Sequence, residues 1–129
     1  MTPDDLKART KQFGLRVIRF ARELPRTEEA RMIGRQLLRS GTGVGANYRG
    51  VCRCKSDADF ISKVGTCIEE ADESGYWIEL LIEAGVVAER AAGTLLQESH
   101  ELTRIFVASR ETVRARLKAR NGNKARSDR

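Results

Sequence analysis

The stretch that decides the fold is residues 57–85, DADFISKVGTCIEEADESGYWIELLIEAG. Its apolar and small residues recur at intervals of four and three without a break, which is the spacing of one side of an α-helix. They are Phe60, Val64, Cys67, Ala71, Ser74, Ile78, Leu81 and Gly85. A flanking row, Ile61, Ile68, Gly75 and Ile82, repeats every seven residues. Two adjacent rows make a broad face and predict a helix that is buried on two sides.

Three further segments show helical periodicity, and no segment alternates apolar and polar residues as a half-buried strand does. The first predicted helix runs from about Asp4 to Leu24 and ends at Pro25, because the residue before a proline avoids α geometry. A second helix begins after Thr27, its predicted N-cap, and a fourth follows a break at residues 85–87. Short connections make neighbouring helices antiparallel. The sequence therefore predicts an all-α, antiparallel up-down-up-down four-helix bundle.

The length of 129 residues fits one domain. We expect the bundle to occupy residues 1–120. Residues 121–129, NGNKARSDR, contain no apolar residue larger than alanine and predict a basic, disordered tail. No run of about 18 apolar residues and no apolar signal-peptide core is present, so we expect a cytoplasmic protein without a membrane partner. Three cysteines, an odd number, fit reduced thiols in that compartment.

Charge is divided into three blocks along the chain. Residues 1–56 carry 13 basic and 5 acidic groups, residues 57–103 carry 2 and 11, and residues 104–129 carry 9 and 2. The net charge of +6 conceals this alternation. Such asymmetry predicts either a polyanionic partner or self-complementary association.

The segment Gly41-Thr42-Gly43-Val44-Gly45-Ala46 formally matches the dinucleotide fingerprint G-x-G-x-x-A. That fingerprint requires a strand before the turn and a βαβ unit around it, whereas residues 31–40 have helical spacing. Gly34, Gly41 and Gly45 instead share one side of a helix. Since each helical glycine costs up to about 1 kcal/mol relative to alanine, we expect a closely packed neighbouring helix to compensate.

Catalytic and metal-binding arrangements find little support in the sequence. The only histidine, His100, is preceded three positions earlier by Gln97, so the Glu-x-x-His motif of di-metal bundles is absent. A zinc site built from Cys52, Cys54, Cys67 and His100 is the remaining alternative, but Cys67 belongs to the apolar row. No nucleophile–base pattern is visible. We therefore expect a non-enzymatic protein without a metal or cofactor.

Arginine is the most informative polar residue, because it accounts for 18 of the 24 basic groups and prefers bidentate contacts with phosphate or carboxylate. The predicted nucleic-acid-binding residues are Arg19, Arg22, Arg26, Arg35, Arg39, Arg49 and Arg53. We expect contacts with RNA or DNA mainly through backbone phosphates, with the C-terminal tail as an auxiliary contact. The alternative is a scaffold in which basic ends dock on the acidic third helix of a neighbouring copy. Ion pairs on a solvated surface would explain the same arginines without a ligand.

Two segments resemble a family signature. They are residues 36–50, QLLRSGTGVGANYRG, and residues 59–81, which contain DFISKVG, EEADES and WIELL. Together they resemble the bacterial four-helix bundle family first named for reading frames within intervening sequences of large-subunit ribosomal RNA genes. The resemblance extends from about Phe13 to Arg114.

The resemblance implies a homo-oligomer, with a ring-like pentamer favoured, and no enzymatic activity. A similar fold serves as the accessory variability protein of diversity-generating retroelements, which partners a reverse transcriptase and binds nucleic acid. A protein partner is therefore a further expectation. The family commonly has Asn-Ile-Ala-Glu-Gly where this chain has Asn47-Tyr48-Arg49-Gly50, so an acidic position is basic here.

Overall fold

The computed structural model describes residues 1–127, which form four α-helices. They are α1 (Pro3–Arg22), α2 (Glu28–Val51), α3 (Asp57–Glu83) and α4 (Glu89–Ser127). Contacts join α1 to α2, α2 to α3, α3 to α4 and α4 back to α1. α2 and α3 are antiparallel, since Ser40 faces Ser74 and Val44 faces Cys67. The other neighbouring pairs show the same opposed order in their contacts: Thr10–Gly45 and Val17–Gly41, Asp57–Arg116 and Gly75–Ser99, and Arg9–Glu98 and Arg16–Thr94. The predicted four-helix bundle is confirmed.

Helix boundaries follow the capping residues. Thr27 is the N-cap of α2 and accepts a hydrogen bond from the Ala30 N–H, as predicted, while Ser56 caps α3 through Asp59. α1 ends at Arg22, slightly before the predicted end. α3 ends where Gly85 adopts a φ of +74°, with the N–H groups of Gly85 and Val86 donating to the carbonyls of Ile82 and Leu81. Glycine takes this left-handed conformation without steric cost, so the chain reverses here.

The apolar rows read from the sequence form the core. Val64, Cys67, Ala71, Ile78 and Leu81 of α3 are buried, while the flanking row of isoleucines is half-buried. None of the helices within residues 1–127 combines the length and the apolar character that a membrane span requires.

The glycines of α2 let α1 approach closely. A Cβ at Gly41 would lie 2.7 Å from Val17 Cγ2, and one at Gly45 would lie 3.3 Å from the backbone of Thr10. Gly34 lies against Leu24 in the same way, at 3.0 Å. All three glycines therefore lie in close packing contacts, as predicted, and at Gly41 the contact is shorter than a real Cβ atom accepts.

The C-terminal segment differs from the predicted disordered tail. α4 continues through residues 121–127 as an exposed helix, and residues 128 and 129 of the predicted tail lie outside the described residues. Lysine, alanine and arginine in this segment favour helix, and no proline interrupts it. At 39 residues, α4 is 12 residues longer than α3, so its basic end extends beyond the bundle.

Candidate nucleic-acid interface

All seven predicted arginines are exposed, but the structure divides them into separate groups. Arg22, Arg26 and Arg35 lie together where the α1–α2 turn closes one end of the bundle. Arg49 and Arg53 lie toward the other end. Arg19 lies in a hollow beside α4, and Arg39 lies beside α3. Only five of the seven therefore belong to the surface formed jointly by α1 and α2, which we call the α1–α2 face.

The loop-end cluster consists of Arg22, Arg26, Arg31 and Arg35. These side chains line one open hollow of about 260 Å³, whose floor contains Leu24, Leu38 and the backbone at Gly34. Arg22 is the last residue of α1, Arg26 lies in the turn, and the other two are one helical turn apart on α2. Within residues 1–127, none of the four has an ion-pair partner.

The second group lines a groove between α1 and α2 with a volume of about 890 Å³. Its cationic residues, here called the groove cluster, are Lys7, Lys11, Arg49 and Arg53. The central part is lined by small and apolar residues, including Leu15, Ile18 and Ala46. Asp4 is its only acidic lining residue among those described, so the groove carries a positive balance.

Helical geometry places the two clusters on the same side of α2. Arg35 and Arg49 are 14 residues apart, close to four full turns, and their positions are separated by about 21 Å along the axis at 1.5 Å per residue. α1 repeats the arrangement, with Lys7 and Lys11 near one end and Arg22 at the other. The α1–α2 face thus carries positive charge at both ends and an uncharged centre.

Arg39 is taken up by an intramolecular network. Its guanidinium donates a hydrogen bond to Glu73 and lies 3.9 Å from Glu70 Oε1, both on α3. The Trp77 indole N–H donates to the same Glu73 carboxylate. The nearest charged neighbours of Arg39 are therefore carboxylates of α3, and its contact with nucleic acid stays a prediction. Arg19 lines a separate hollow with Val87 and Ala91 beside α4.

The profile of the 23S rRNA-intervening sequence protein family matches residues 5–108. The chain belongs to this family. Its fold is similar to the 1.70 Å crystal structure of a protein with unknown function from the S23 ribosomal protein family of Bacteroides thetaiotaomicron VPI-5482. The two share 30% sequence identity with a TM-score of 0.75, over 81% of this chain and 96% of that chain. No curated protein matches.

In this member of the family, the basic end of α4 is partly neutralised. Arg116 and Arg120 both donate hydrogen bonds to Asp57 at the start of α3. The hydrogen bond from Arg116, together with the charges of both arginines, holds the pKa of Asp57 below its usual value of 3.8. The carboxylate also lies at a helix N-terminus, where the helix dipole favours negative charge. Part of the C-terminal basic block is thus neutralised by the acidic block of the same chain.

The cysteines and His100 do not form a common metal site within residues 1–127. Cys67 is buried, with its Sγ 3.9 Å from the Val44 carbonyl, whereas Cys52 is exposed. His100 Nε2 lies 3.4 Å from Glu79 Oε1. Across the described part of the chain, no group of three or more histidine, cysteine, aspartate or glutamate side chains is placed to hold a metal ion.

The sequence reasoning left Lys7, Lys11 and Arg31 out of the candidate site, although the structure places them among the predicted arginines. Their spacing carried a usable signal. Lys7, Lys11, Ile18 and Arg22 follow one another at four, seven and four residues, which is one side of α1. Arg31 lies on α2 one turn before Arg35. What the sequence lacked was the identity of the neighbouring helix.

Proposed function

We propose that this family member is a non-enzymatic, homo-oligomeric helical bundle that binds RNA or DNA through the α1–α2 face. The observation that carries the proposal is the loop-end cluster, in which four arginines line one hollow with no ion pair among residues 1–127. Four like charges around one hollow repel one another unless an anion joins them. Arginine suits phosphate because its planar guanidinium makes two parallel hydrogen bonds to phosphate oxygens.

Backbone phosphates are the ligands that this surface fits best. The exposed aromatic residue of the described chain, Tyr76, lies on α3, so the α1–α2 face has no stacking platform for unpaired bases. Uncharged residues occupy its centre. Contacts limited to phosphates position a nucleic acid without reading its sequence, which suits an accessory to a nucleic-acid enzyme.

A salt titration tests the proposal. Fluorescence anisotropy with a hairpin RNA and a DNA duplex would compare the wild type with an Arg31→Ala/Arg35→Ala variant. Because each phosphate contact contributes about 0.9 to the slope of log K against log salt on duplex DNA, we expect a slope about 1.8 shallower in the variant. Arg90→Ala/Arg104→Ala, two exposed arginines of α4, is the matched control. Absence of binding at low salt would overturn the proposal, and so would an equal loss in the control.

The second candidate function is a scaffold that assembles without nucleic acid. The outer side of α3 favours it, because Glu69 and Asp72 are exposed there and have no ion-pair partner among the described residues. Sedimentation at rising salt separates the two functions. Assembly that dissociates in high salt, in a protein without affinity for either nucleic acid, would favour the scaffold.

A further inference from the structure

We infer that α3 of one copy docks in the α1–α2 groove of a second copy, so that Glu69 and Asp72 meet the groove cluster and Tyr76 covers the apolar centre. This inference rests on the self-assembly part of the proposed function and names the two surfaces that would meet. It does not depend on nucleic-acid binding.

The docking row consists of Glu69, Asp72 and Tyr76, which succeed one another at three and four residues on the outer side of α3. All three are exposed, and Tyr76 keeps 52% of its surface accessible. The Tyr76 ring packs edge-on against Trp77, with ring centroids 5.1 Å apart, so it is supported from one side and open on the other. Tyrosine is enriched at interfaces and among the residues that contribute most to binding, so Tyr76 suits an interface anchor.

In the centre of the receiving groove, α1 and α2 approach each other closely and present small and apolar residues. A Cβ at Gly14 would lie 3.7 Å from the Thr42 Cα, and Gly45 lies against the Thr10 backbone. With no side chains at these glycines, the centre is lined by Leu15, Ile18 and Ala46. The half-buried Leu15 and Ile18 offer apolar surface to an aromatic ring.

The spacing of charge and apolar surface agrees between the two partners. Tyr76 is seven residues from Glu69 on α3, and on the groove side Ile18 is seven residues from Lys11. Ala46 is likewise seven residues from Arg53 on α2. Seven residues correspond to about 10.5 Å of helix, so an apolar centre and a charged patch lie at the same interval on all three helices.

The row and the groove lie on different sides of one molecule. Across residues 1–127, α1 packs against α2 and α4, which places α1 and α3 at opposite corners of the bundle. One chain therefore cannot bring its own row into its own groove. Contact between unlike surfaces is heterologous and repeats from copy to copy, which builds a ring when the rotation closes. In the assembly the neighbouring copy occupies the groove cluster, so phosphate contacts then fall to the loop-end cluster, which lies beyond the groove.

Charge reversal with rescue tests the inference on the full chain. Sedimentation velocity would measure the assembly of Arg49→Glu/Arg53→Glu, of Glu69→Arg/Asp72→Arg and of the variant that combines all four changes. Each double reversal should raise the dissociation constant at least about tenfold, since like charges then face each other, and the combined variant should recover most of the loss. Tyr76→Ala should weaken assembly at least about tenfold by removing the central anchor. Arg90→Glu/Arg104→Glu is the control, and circular dichroism verifies folding.

The outcomes separate this inference from the function on which it rests. Assembly that survives both double reversals unchanged would overturn the proposed interface and leave self-assembly standing. Loss in the double reversals without recovery in the combined variant would also overturn it, because a direct contact predicts rescue. A wild type that stays monomeric at all concentrations would overturn both. Recovery of assembly in the combined variant would support the interface.

Discussion

Gly41 of α2 lies directly against Val17 of α1, with the position of a missing Cβ only 2.7 Å from Val17 Cγ2 and 2.8 Å from Cγ1. Val17 is fully buried, so its methyl groups have no free space into which to move. The helix pair is therefore held at a distance that only glycine permits. This contact explains Gly41, the first glycine of the segment that formally matches a dinucleotide fingerprint.

Substitution of Gly41 by alanine should destabilise the fold. Alanine gains up to about 1 kcal/mol of helix propensity, but overpacking against a rigid core residue typically costs about 1–3 kcal/mol. We expect the packing cost to exceed the gain, which gives a net loss in the free energy of unfolding measured by urea denaturation.

Gly65→Ala on α3 and Gly93→Ala on α4 are the matched controls for that measurement. A Cβ at either position meets no atom within 4 Å. The helix propensity of alanine should then act alone and stabilise the protein by up to about 1 kcal/mol. If Gly41→Ala were as stable as these controls, close helix packing would not be the reason for the glycine.

The fold could be predicted from the sequence because burial in a helical bundle leaves a local periodic record. Val64, Cys67 and Ile78 are spaced as one side of a helix, and all three are fully buried. Thr27 and Ser56 mark helix starts through hydrogen bonds to residues three positions later. The end of α4 shows no apolar periodicity, because residues 121–127 are all exposed and form a helix through propensity alone.

The candidate site could be predicted only in part, because pairing of an exposed arginine depends on the helix beside it. Arg35 and Arg39 are one turn apart and look alike in the sequence. Arg35 joins the hollow at the α1–α2 turn, whereas Arg39 reaches Glu73 on α3. Two residues four positions apart on a helix point in directions that differ by about 40°, which is enough to bring the two side chains to different neighbours.

Arg39→Ala should leave nucleic-acid affinity almost unchanged, while Arg35→Ala should lower it. Arg39 is occupied by Glu70 and Glu73, and an ion pair this exposed contributes only about 0–1 kcal/mol to stability. Loss of one phosphate contact in Arg35→Ala should reduce the salt slope on duplex DNA by about 0.9. Anisotropy titrations at several salt concentrations measure both effects. A larger loss for Arg39→Ala than for Arg35→Ala would contradict the assignment.

Cys67 should resist alkylation in the folded protein. Burial, reinforced by nearby Cys52 and Glu70, raises the pKa of its thiol to about 12, so the reactive thiolate is scarce at pH 8. Cys52 is exposed and should react with iodoacetamide rapidly under the same conditions. Mass spectrometry after timed labelling, with and without urea, separates the sites. Labelling of Cys67 at the rate of Cys52 without urea would contradict its place in the core.

Glu70 should make the folded state less stable as the pH rises above 4.5. Burial raises the pKa of its carboxyl above the usual 4.5, although Arg39 opposes the shift. Its Oε2 lies close to the backbone at Gly43 and has no hydrogen-bond partner among the described residues. The folded state therefore binds the Glu70 proton more tightly than the unfolded state does. This contribution to stability is fully present below pH 4.5 and is lost as pH rises through the pKa of the folded protein.

Glu70→Gln removes this titration, so the variant should gain stability relative to the wild type as pH rises from 4.5 to 7. Urea unfolding across that interval measures the difference in free energy of unfolding between the two proteins. Asp57 and Asp59 contribute with the opposite sign, because hydrogen bonds from Arg116 and Lys63 lower their pKa values. Since both proteins contain them, these contributions cancel in the difference. Glu69→Gln, one position earlier and exposed, is the control for the same exchange of side chain outside the buried contact. If the difference in free energy of unfolding between Glu70→Gln and the wild type stayed constant with pH, Glu70 would be solvated in the folded protein. Only a desolvated carboxylate makes the uncharged glutamine side chain increasingly favourable as the acid ionises.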